Sequence, residues 1–156
     1  MSRKSNIKKR FPKEDSLYKS HLVNLLILKV LKSGKKTVAS AIVYESLNII
    51  QKRMNKNPVL VLEEAILRAS PIVELKSRRV GGSTYQVPIE IDKFRSTILC
   101  LRWLVSISRK RFGRSMAQKL ANEIMDTCKG TSNTLKRKRR THKMAKANKA
   151  FAHYRR

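Results

Sequence analysis

Lysine and arginine side chains around short turns are the groups in this chain whose chemistry is most informative. Residues 73–90 read as two strand-like runs, as in the arms of a β-hairpin. The Gly-Gly pair between the arms suits a tight turn with positive φ at both positions. Arginine makes forked contacts with phosphates and stacks on bases, whereas lysine attracts phosphates more diffusely. The pattern therefore predicts a ribbon that contacts a polyanion. Its cations, turn residues and aromatic residue are Lys76, Arg78, Arg79, Gly81, Gly82, Ser83 and Tyr85.

Further cations collect near the ends of predicted helices, and residues 136–140 form the densest run. Each cluster by itself is more often a solvated surface, but a compact bundle can bring several connections onto one face. Gly113-Arg114-Ser115 also opens a helix, where free backbone N–H groups favour an anion. Outside the ribbon we expect nucleic-acid contacts from Lys35, Lys36, Arg95, Arg102, Arg109, Lys110, Arg111 and Arg114.

The charge is both high and unevenly distributed. The 156 residues include 37 Lys and Arg against 10 Asp and Glu, which gives a formal net charge of +27. Residues 1–13 hold six cations and residues 129–156 hold eleven, and neither end holds an acidic residue. Solubility alone needs far less charge, so both ends are predicted to neutralise phosphates. At the N-terminus the expected contacts are Arg3, Lys4, Lys8, Lys9 and Arg10.

Metal binding and catalysis are not expected. The histidines and cysteines lack the close spacing of a metal site, and these residues are His21, His142, His153, Cys100 and Cys128. Residues 34–37 resemble the end of a phosphate-binding loop, but Lys29 stands where such a loop needs glycine. The acidic residues are placed mostly as helix caps or as partners of nearby cations. We therefore predict neither an enzyme nor a bound metal or cofactor.

The chain is expected to work in the compartment where it is made and without a membrane partner. Two solitary cysteines and no secretory leader predict reduced thiols in the core. The longest apolar run, residues 22–31, is interrupted by Asn24 and Lys29 and is too short to span a bilayer.

Hydrophobic periodicity predicts a mainly α fold, a bundle of about six helices with one protruding two-stranded β-hairpin between the third and fourth. Residues 1–16 are predicted to be a flexible basic arm, residues 17–130 a helical RNA-binding body with the hairpin at 72–90, and residues 131–156 a basic, partly formed helix. The predicted helices of the body span residues 20–32, 37–54, 58–69, 92–110 and 115–130. The second is expected to bury Val38, Ala41, Ile42, Leu47 and Ile50.

Within the hairpin, the apolar and the cationic residues are expected to divide the work. The side chains expected to seat its base against the helices are Val73, Leu75, Val87 and Ile89. Arg78, Arg79 and Tyr85 are expected to reach outward.

The nucleic acid is predicted to be RNA. The sequence has no zinc-finger spacing, basic-zipper heptads or homeodomain pattern. Cations scattered over loops, a ribbon and two arms suit an irregularly folded RNA that is recognised by shape. An architectural DNA-binding protein, with the hairpin inserted into a groove, is the alternative.

The order of several motifs supports this interpretation and resembles a known family. The motifs are Leu22-Val23-Asn24, Gly34-Lys35-Lys36, Arg78-Arg79-Val80-Gly81-Gly82-Ser83-Thr84, Gln86-Val87-Pro88-Ile89-Glu90, Arg102-Trp103-Leu104, and Met144-Ala145 through His153. They resemble the bacterial-type family of small-subunit ribosomal protein seven over nearly the whole chain. In two places the chain departs from this family: Lys138 to Arg140 and Lys146 replace acidic residues that are common in the last helix, and Phe112 replaces a proline.

The resemblance implies partners and a location. It implies early binding to the 3′ (head) domain of small-subunit ribosomal RNA, nucleation of head assembly, contact with neighbouring small-subunit proteins, and a place near exit-site tRNA and the mRNA exit path. The tRNA- or mRNA-proximal residues would be Gly81, Gly82, Ser83, Tyr85, Lys143 and Arg155. The implied location is the ribosome of a bacterial cytoplasm or a plastid stroma. Repression of its own mRNA by mimicry of the ribosomal site is compatible with this interpretation.

Overall fold

The computed structural model describes residues 12–155, with side chains to Tyr154. The described part is helical apart from one hairpin, so the predicted fold class is confirmed. The elements are α1 (His21–Val30), α2 (Lys36–Met54), α3 (Pro58–Ala69), β1 (Val73–Val80), β2 (Ser83–Glu90), α4 (Lys93–Lys110), α5 (Met116–Lys129), α6 (Asn133–Ala147) and a terminal 3₁₀ helix (Lys149–Arg155). The two strands are antiparallel neighbours between α3 and α4.

Side-chain caps explain where several helices begin. The Asn57 carboxamide accepts a hydrogen bond from the Val59 amide (3.0 Å), and the Ser115 hydroxyl accepts one from the Gln118 amide (3.3 Å). Such caps satisfy N–H groups that have no partner within the helix. Helix α1 ends at Val30, two residues before its predicted end, because the backbone of Leu31 has left the helical conformation, with ψ of 133°.

The core lies between α5 and the helices that pack on it, α2, α3 and α4. Its fully buried residues include Leu26, Leu47, Leu62, Leu101, Leu104, Leu120 and Ile124. The predicted inner face of α2 is partly wrong: Ala39 and Val43 are buried, whereas Val38 is 53% exposed. Apolar residues lie on two adjacent faces of α2, so periodicity alone does not select between them. The small side chains of Ala39 and Ser46 lie on the face that is buried.

Both chain ends within the described range are held against the body. Asp15 is 7% exposed, and its carboxylate accepts hydrogen bonds from the Tyr44 hydroxyl (2.8 Å) and from the amides of Leu17 and Tyr18. The last residues of the predicted arm therefore contact the helical body. Helix α6 begins after Ser132, whose hydroxyl accepts a hydrogen bond from the Leu135 amide.

Neither cysteine is near a disulfide partner or solvent. Cys100 and Cys128 are free and buried, and burial raises the pKa of the Cys100 thiol to about 12. These properties agree with the prediction of thiols in the core. Among residues 12–155, no helix is long and apolar enough to cross a membrane.

Candidate nucleic-acid interface

The tip of the hairpin is a two-residue turn, as the sequence predicted. Val80 pairs with Ser83, and the residues between them, Gly81 and Gly82, have φ of 56° and 88°. Positive φ at both positions gives the twist that matches two antiparallel strands. The outer half of the hairpin is exposed, whereas Val87 near its base is completely buried. The ribbon therefore projects from an anchored base and presents Arg78 and Arg79 to solvent.

The base of the hairpin is tied to α4 by an ion pair. Arg95 donates two hydrogen bonds to the two carboxylate oxygens of Glu74, at 2.8 and 3.0 Å, and these bonds raise the pKa of Arg95. The Lys76 ammonium lies 3.9 Å from the same carboxylate. A bidentate pair fixes orientation as well as charge. Arg95 therefore helps to set the direction of the ribbon, although its side chain remains 56% exposed.

The expectation that Tyr85 reaches outward is wrong. Its ring is half-buried and packs on the terminal 3₁₀ helix, with its centroid 5.1 Å from that of Phe151 and 5.2 Å from that of Tyr154. Tilted aromatic pairs at this separation are favourable beyond their buried area. This aromatic cluster, formed by Tyr85, Phe151 and Tyr154, connects the second strand to the end of the chain.

Three predicted cations share one face of α4. Arg95, Arg102 and Arg109 are seven residues apart, and all three are exposed. Seven residues are close to two helical turns, so the side chains point the same way at intervals of about 10.5 Å. We call these three residues the arginine row. It runs from the hairpin at one end of α4 to the α1–α2 connection at the other.

A groove with an apolar floor lies at the far end of the arginine row. Lys32, Lys35 and Arg109 stand on its rim, and the floor contains Val30, Val38, Ala39, Ile42 and Met116. Arg109 is held there by a hydrogen bond from its guanidinium to the Val30 carbonyl (3.0 Å). Lys36 is exposed at the start of α2. The structure thus brings two predicted clusters together, from the α1–α2 connection and the end of α4.

Like Arg95 and Lys76, Arg111 pairs with acidic residues of the protein, but its side chain is much less exposed than theirs. It donates hydrogen bonds to Glu123 and to Asp126 (2.6 Å), and its side chain is only 26% exposed. Glu123 is completely buried and also accepts hydrogen bonds from the amide and hydroxyl of Thr134, at 3.1 and 2.7 Å. Arg111 therefore points into the protein, where it connects α4, α5 and α6.

The neighbours of Arg111 remain available to a partner. Lys110 and Arg114 are exposed, and the ring of Phe112 between them is fully exposed. At the hairpin tip Gly81, Gly82 and Ser83 are exposed, as is Lys143 on α6. The predicted contacts at Arg3, Lys4, Lys8, Lys9 and Arg10, and that of the Arg155 side chain, lie outside the described residues.

Two features of the structure were missed from the sequence. One is buried Glu123, whose place among the apolar positions of α5 was the available signal. The other is the Arg137 guanidinium, which lies over the Trp103 ring with its central carbon 5.5 Å from the ring centroid. From the sequence, residues 136–140 were identified only as a dense run of cations. No residue pattern indicated which of its members faces α4.

One face of the molecule is unsuited to a polyanion. The outer face of α3 carries Leu60, Glu63, Glu64 and Leu67, all exposed. Glu64 pairs with Arg68 one turn later (2.7 Å). Within the described residues no three histidine, cysteine or acidic side chains form a group that could hold a metal ion.

The motif-based resemblance is confirmed by comparison with known proteins. The family model described as ribosomal protein S7p/S5e matches residues 2–149. The chain belongs to this family. It is 53% identical to the small ribosomal subunit protein uS7 of Gloeothece citriformis, over 99% of each chain, and 52% identical to that of Thermosynechococcus vestitus, again over 99% of each. It is 56% identical to the small ribosomal subunit protein uS7c of Trieres chinensis, over 92% of this chain and 91% of the relative. Members of this family have a structural and not an enzymatic role.

Proposed function

We propose that this chain is a structural component of the small ribosomal subunit that binds the 3′ (head) domain of its ribosomal RNA and nucleates assembly of the head. Its partners are that RNA and neighbouring small-subunit proteins. The hairpin tip and the C-terminal residues lie near exit-site tRNA and the mRNA exit path. The compartment is a bacterial cytoplasm or a plastid stroma, in keeping with relatives from cyanobacteria and a plastid.

The arginine row is the observation that carries this proposal. Arg95, Arg102 and Arg109 lie along about 21 Å of one face, from the ribbon, where Arg95 also pairs with Glu74, to the groove lined by Lys35. A folded RNA recognised through its backbone needs contacts spread over such a distance. A recognition helix in a DNA groove would instead present a few side chains to base edges. Exposed arginines on one extended face therefore favour RNA read by shape.

A direct competition experiment tests the RNA partner. The chain is bound to a labelled fragment of the 3′ domain at fixed salt, and unlabelled 3′-domain RNA, 5′-domain RNA and duplex DNA are added as competitors. We expect 3′-domain RNA to compete most strongly, and binding to survive a moderate salt wash when whole small subunits are sedimented. Equal competition by duplex DNA would favour the architectural DNA-binding alternative and contradict the proposal.

The position of the hairpin tip needs its own test. A photoreactive group is attached to a cysteine introduced by Ser83→Cys, and a matched control carries it at Glu63→Cys on the outer face of α3. Both positions are exposed, whereas native Cys100 and Cys128 are buried. In assembled subunits we expect the tip to cross-link to exit-site tRNA or mRNA and the control not to do so. Equal labelling from both positions would remove the tip from the tRNA path.

A further inference from the structure

The groove between α4 and α6 combines an aromatic floor with cationic walls. Its lining residues are Trp103, Lys136, Arg137, Arg140, Thr141 and Met144. Trp103 is 8% exposed beneath the Arg137 guanidinium, whose central carbon is 5.5 Å from the ring centroid. That distance lies within the range of a cation–π contact, which restricts the freedom of the arginine. The outer side of Arg137 is exposed to solvent, and so are Lys136 and Arg140.

The cations of α6 differ in what they contact. Lys136, Arg137 and Arg140 line the groove, because Arg140 is four residues from Lys136 and three from Arg137, and these spacings place side chains on one face of a helix. Lys138 instead donates a hydrogen bond to the Arg68 carbonyl (2.6 Å) at the end of α3. Arg139 is exposed but is not among the residues that line the groove. The groove is therefore a specific arrangement within a uniformly basic run.

We propose that the α4–α6 groove binds an unpaired RNA nucleotide. Its base stacks on the outer side of the Arg137 guanidinium over Trp103, and its flanking phosphates contact Lys136 and Arg140. Planar guanidinium groups and aromatic rings are the surfaces on which proteins hold unstacked bases. A phosphate is bound by the N–H edge of a guanidinium. A guanidinium that lies over a tryptophan ring also offers its planar face, on which a base can stack. This inference rests on the proposed RNA-binding function and adds to it a site outside the predicted contacts.

The chain carries an internal reporter for this site, because Trp103 is its one tryptophan. We would titrate the full chain with a short single-stranded RNA and follow tryptophan fluorescence. Inorganic polyphosphate serves as a polyanion without bases. We expect the single-stranded RNA to quench Trp103 and polyphosphate to leave its emission nearly unchanged. Equal quenching by both ligands would mean that phosphate binding alone disturbs Trp103, and would overturn the proposal.

Two lysine variants that keep the net charge of the chain test whether RNA binding and fluorescence quenching depend on Arg137. In Arg137→Lys the planar group is lost, and we expect the affinity for the single-stranded RNA to fall about tenfold and the quenching to disappear. The matched control is Arg139→Lys on the same helix, for which both quantities should stay as in the parent chain. Far-ultraviolet circular dichroism and thermal melting would verify that both variants fold. Equal losses in the two variants would contradict a site at Arg137.

Three natural sources of an unpaired nucleotide are distinguished by repeating the titration with a 3′-domain ribosomal RNA fragment, deacylated tRNA and an unstructured mRNA. Quenching that depends on Arg137 identifies the source, and its absence for all three overturns the proposal. The larger function is judged separately from the affinity for the 3′-domain fragment. If the chain keeps its affinity for the 3′-domain fragment but shows no quenching that depends on Arg137, only the proposal of a nucleotide site is contradicted. If the affinity itself is absent, the proposed function fails.

Discussion

Arginines with similar sequence surroundings have different roles because of the groups around each side chain. Arg109 and Arg111 are two residues apart, but Arg109 is exposed on the rim of a groove and Arg111 is bound by Glu123 and Asp126. A buried carboxylate is tolerated only when cations and hydrogen-bond donors surround it. Glu123 meets this requirement through Arg111 and Thr134, so that three helices depend on one side chain.

Glu123→Gln tests this dependence at the residue scale. The amide has the same size, but its N–H groups would face the Arg111 guanidinium, and one partner of a buried charge would be lost. We expect the free energy of unfolding in urea to fall by about 1–3 kcal/mol. Glu63→Gln, on the exposed outer face of α3, should leave stability within about 0.5 kcal/mol of the parent chain. A loss as small for Glu123→Gln as for this control would refute the network.

Gly82 is the second residue whose role is set by local geometry. It has φ of 88°, and a Cβ built there meets no atom within 4 Å, so a substitution is opposed by backbone strain and not by crowding. Gly82→Val should weaken the turn by about 1–3 kcal/mol and increase amide exchange across the Arg78–Tyr85 pair. Ser83→Val places the same side chain in a strand and is the control. Unchanged exchange in Gly82→Val would refute the turn assignment.

At the scale of elements, the hairpin depends on contacts with α4, α6 and the terminal 3₁₀ helix. Glu74 joins its base to Arg95, Val87 is buried in its second strand, and Tyr85 packs in the aromatic cluster. An isolated two-stranded hairpin is marginal in water. The contacts at its base therefore allow the exposed tip to project without a sheet behind it.

His142 of α6 makes one of these contacts sensitive to pH. Its Nε2 accepts a hydrogen bond from the Ile72 amide (3.2 Å), and burial together with Lys138 lowers the pKa of the ring below 6.5. Lys146, Lys149 and Glu90 also line the space around it. The folded chain then binds fewer protons than the unfolded chain just below pH 6.5. The stability from this contact is thus fully present above pH 6.5. It is lost progressively as the pH falls below 6.5 and through the lower pKa of the folded state.

His142→Gln keeps a possible acceptor and removes the titration. We expect the melting temperature of the parent chain to fall more than that of His142→Gln when the pH is lowered from above to below 6.5. His153→Gln, on the terminal 3₁₀ helix, should behave like the parent chain. If acidification lowers all three melting temperatures equally, His142 is not the responsible group.

At the scale of the whole molecule, the distribution of charge determines which face of the chain attracts a polyanionic partner. The formal net charge is +27, yet the outer face of α3 is acidic and apolar, so the positive potential is directed and not uniform. Binding to RNA should release counterions in proportion to the phosphates that are neutralised. This makes salt dependence a measure of how many cations take part.

Lys36→Ala should lower the slope of log affinity against log salt concentration by about 1 for 3′-domain RNA, because one phosphate contact is removed. Lys56→Ala removes the same charge from the α2–α3 connection, outside the proposed interface, and should leave the slope unchanged. Binding at several salt concentrations by filter retention measures both. If the two variants change the slope equally, the interface is not confined to the proposed face.

The sequence by itself determined the fold class, the hairpin with its turn at Gly81-Gly82 and the polyanionic partner. These depend on local properties: the period of apolar residues, the φ values open to glycine, and a charge imbalance that no fold can remove. The ends of most helices could also be predicted from local sequence, since Asn57 and Ser115 cap residues close by in the chain.

The tertiary structure alone decided which cations are available and how they are grouped. Arg111 is neutralised by residues 12 and 15 positions later, and Arg137 lies on Trp103, which belongs to another helix. The ring of Tyr85 does not reach outward, because the ring of Phe151, far along the chain, packs on it. Such pairings depend on how helices pack, and local sequence patterns carry no information about distant partners. The sequence therefore identified a basic surface, and packing determined which of its cations are exposed and which are paired within the protein.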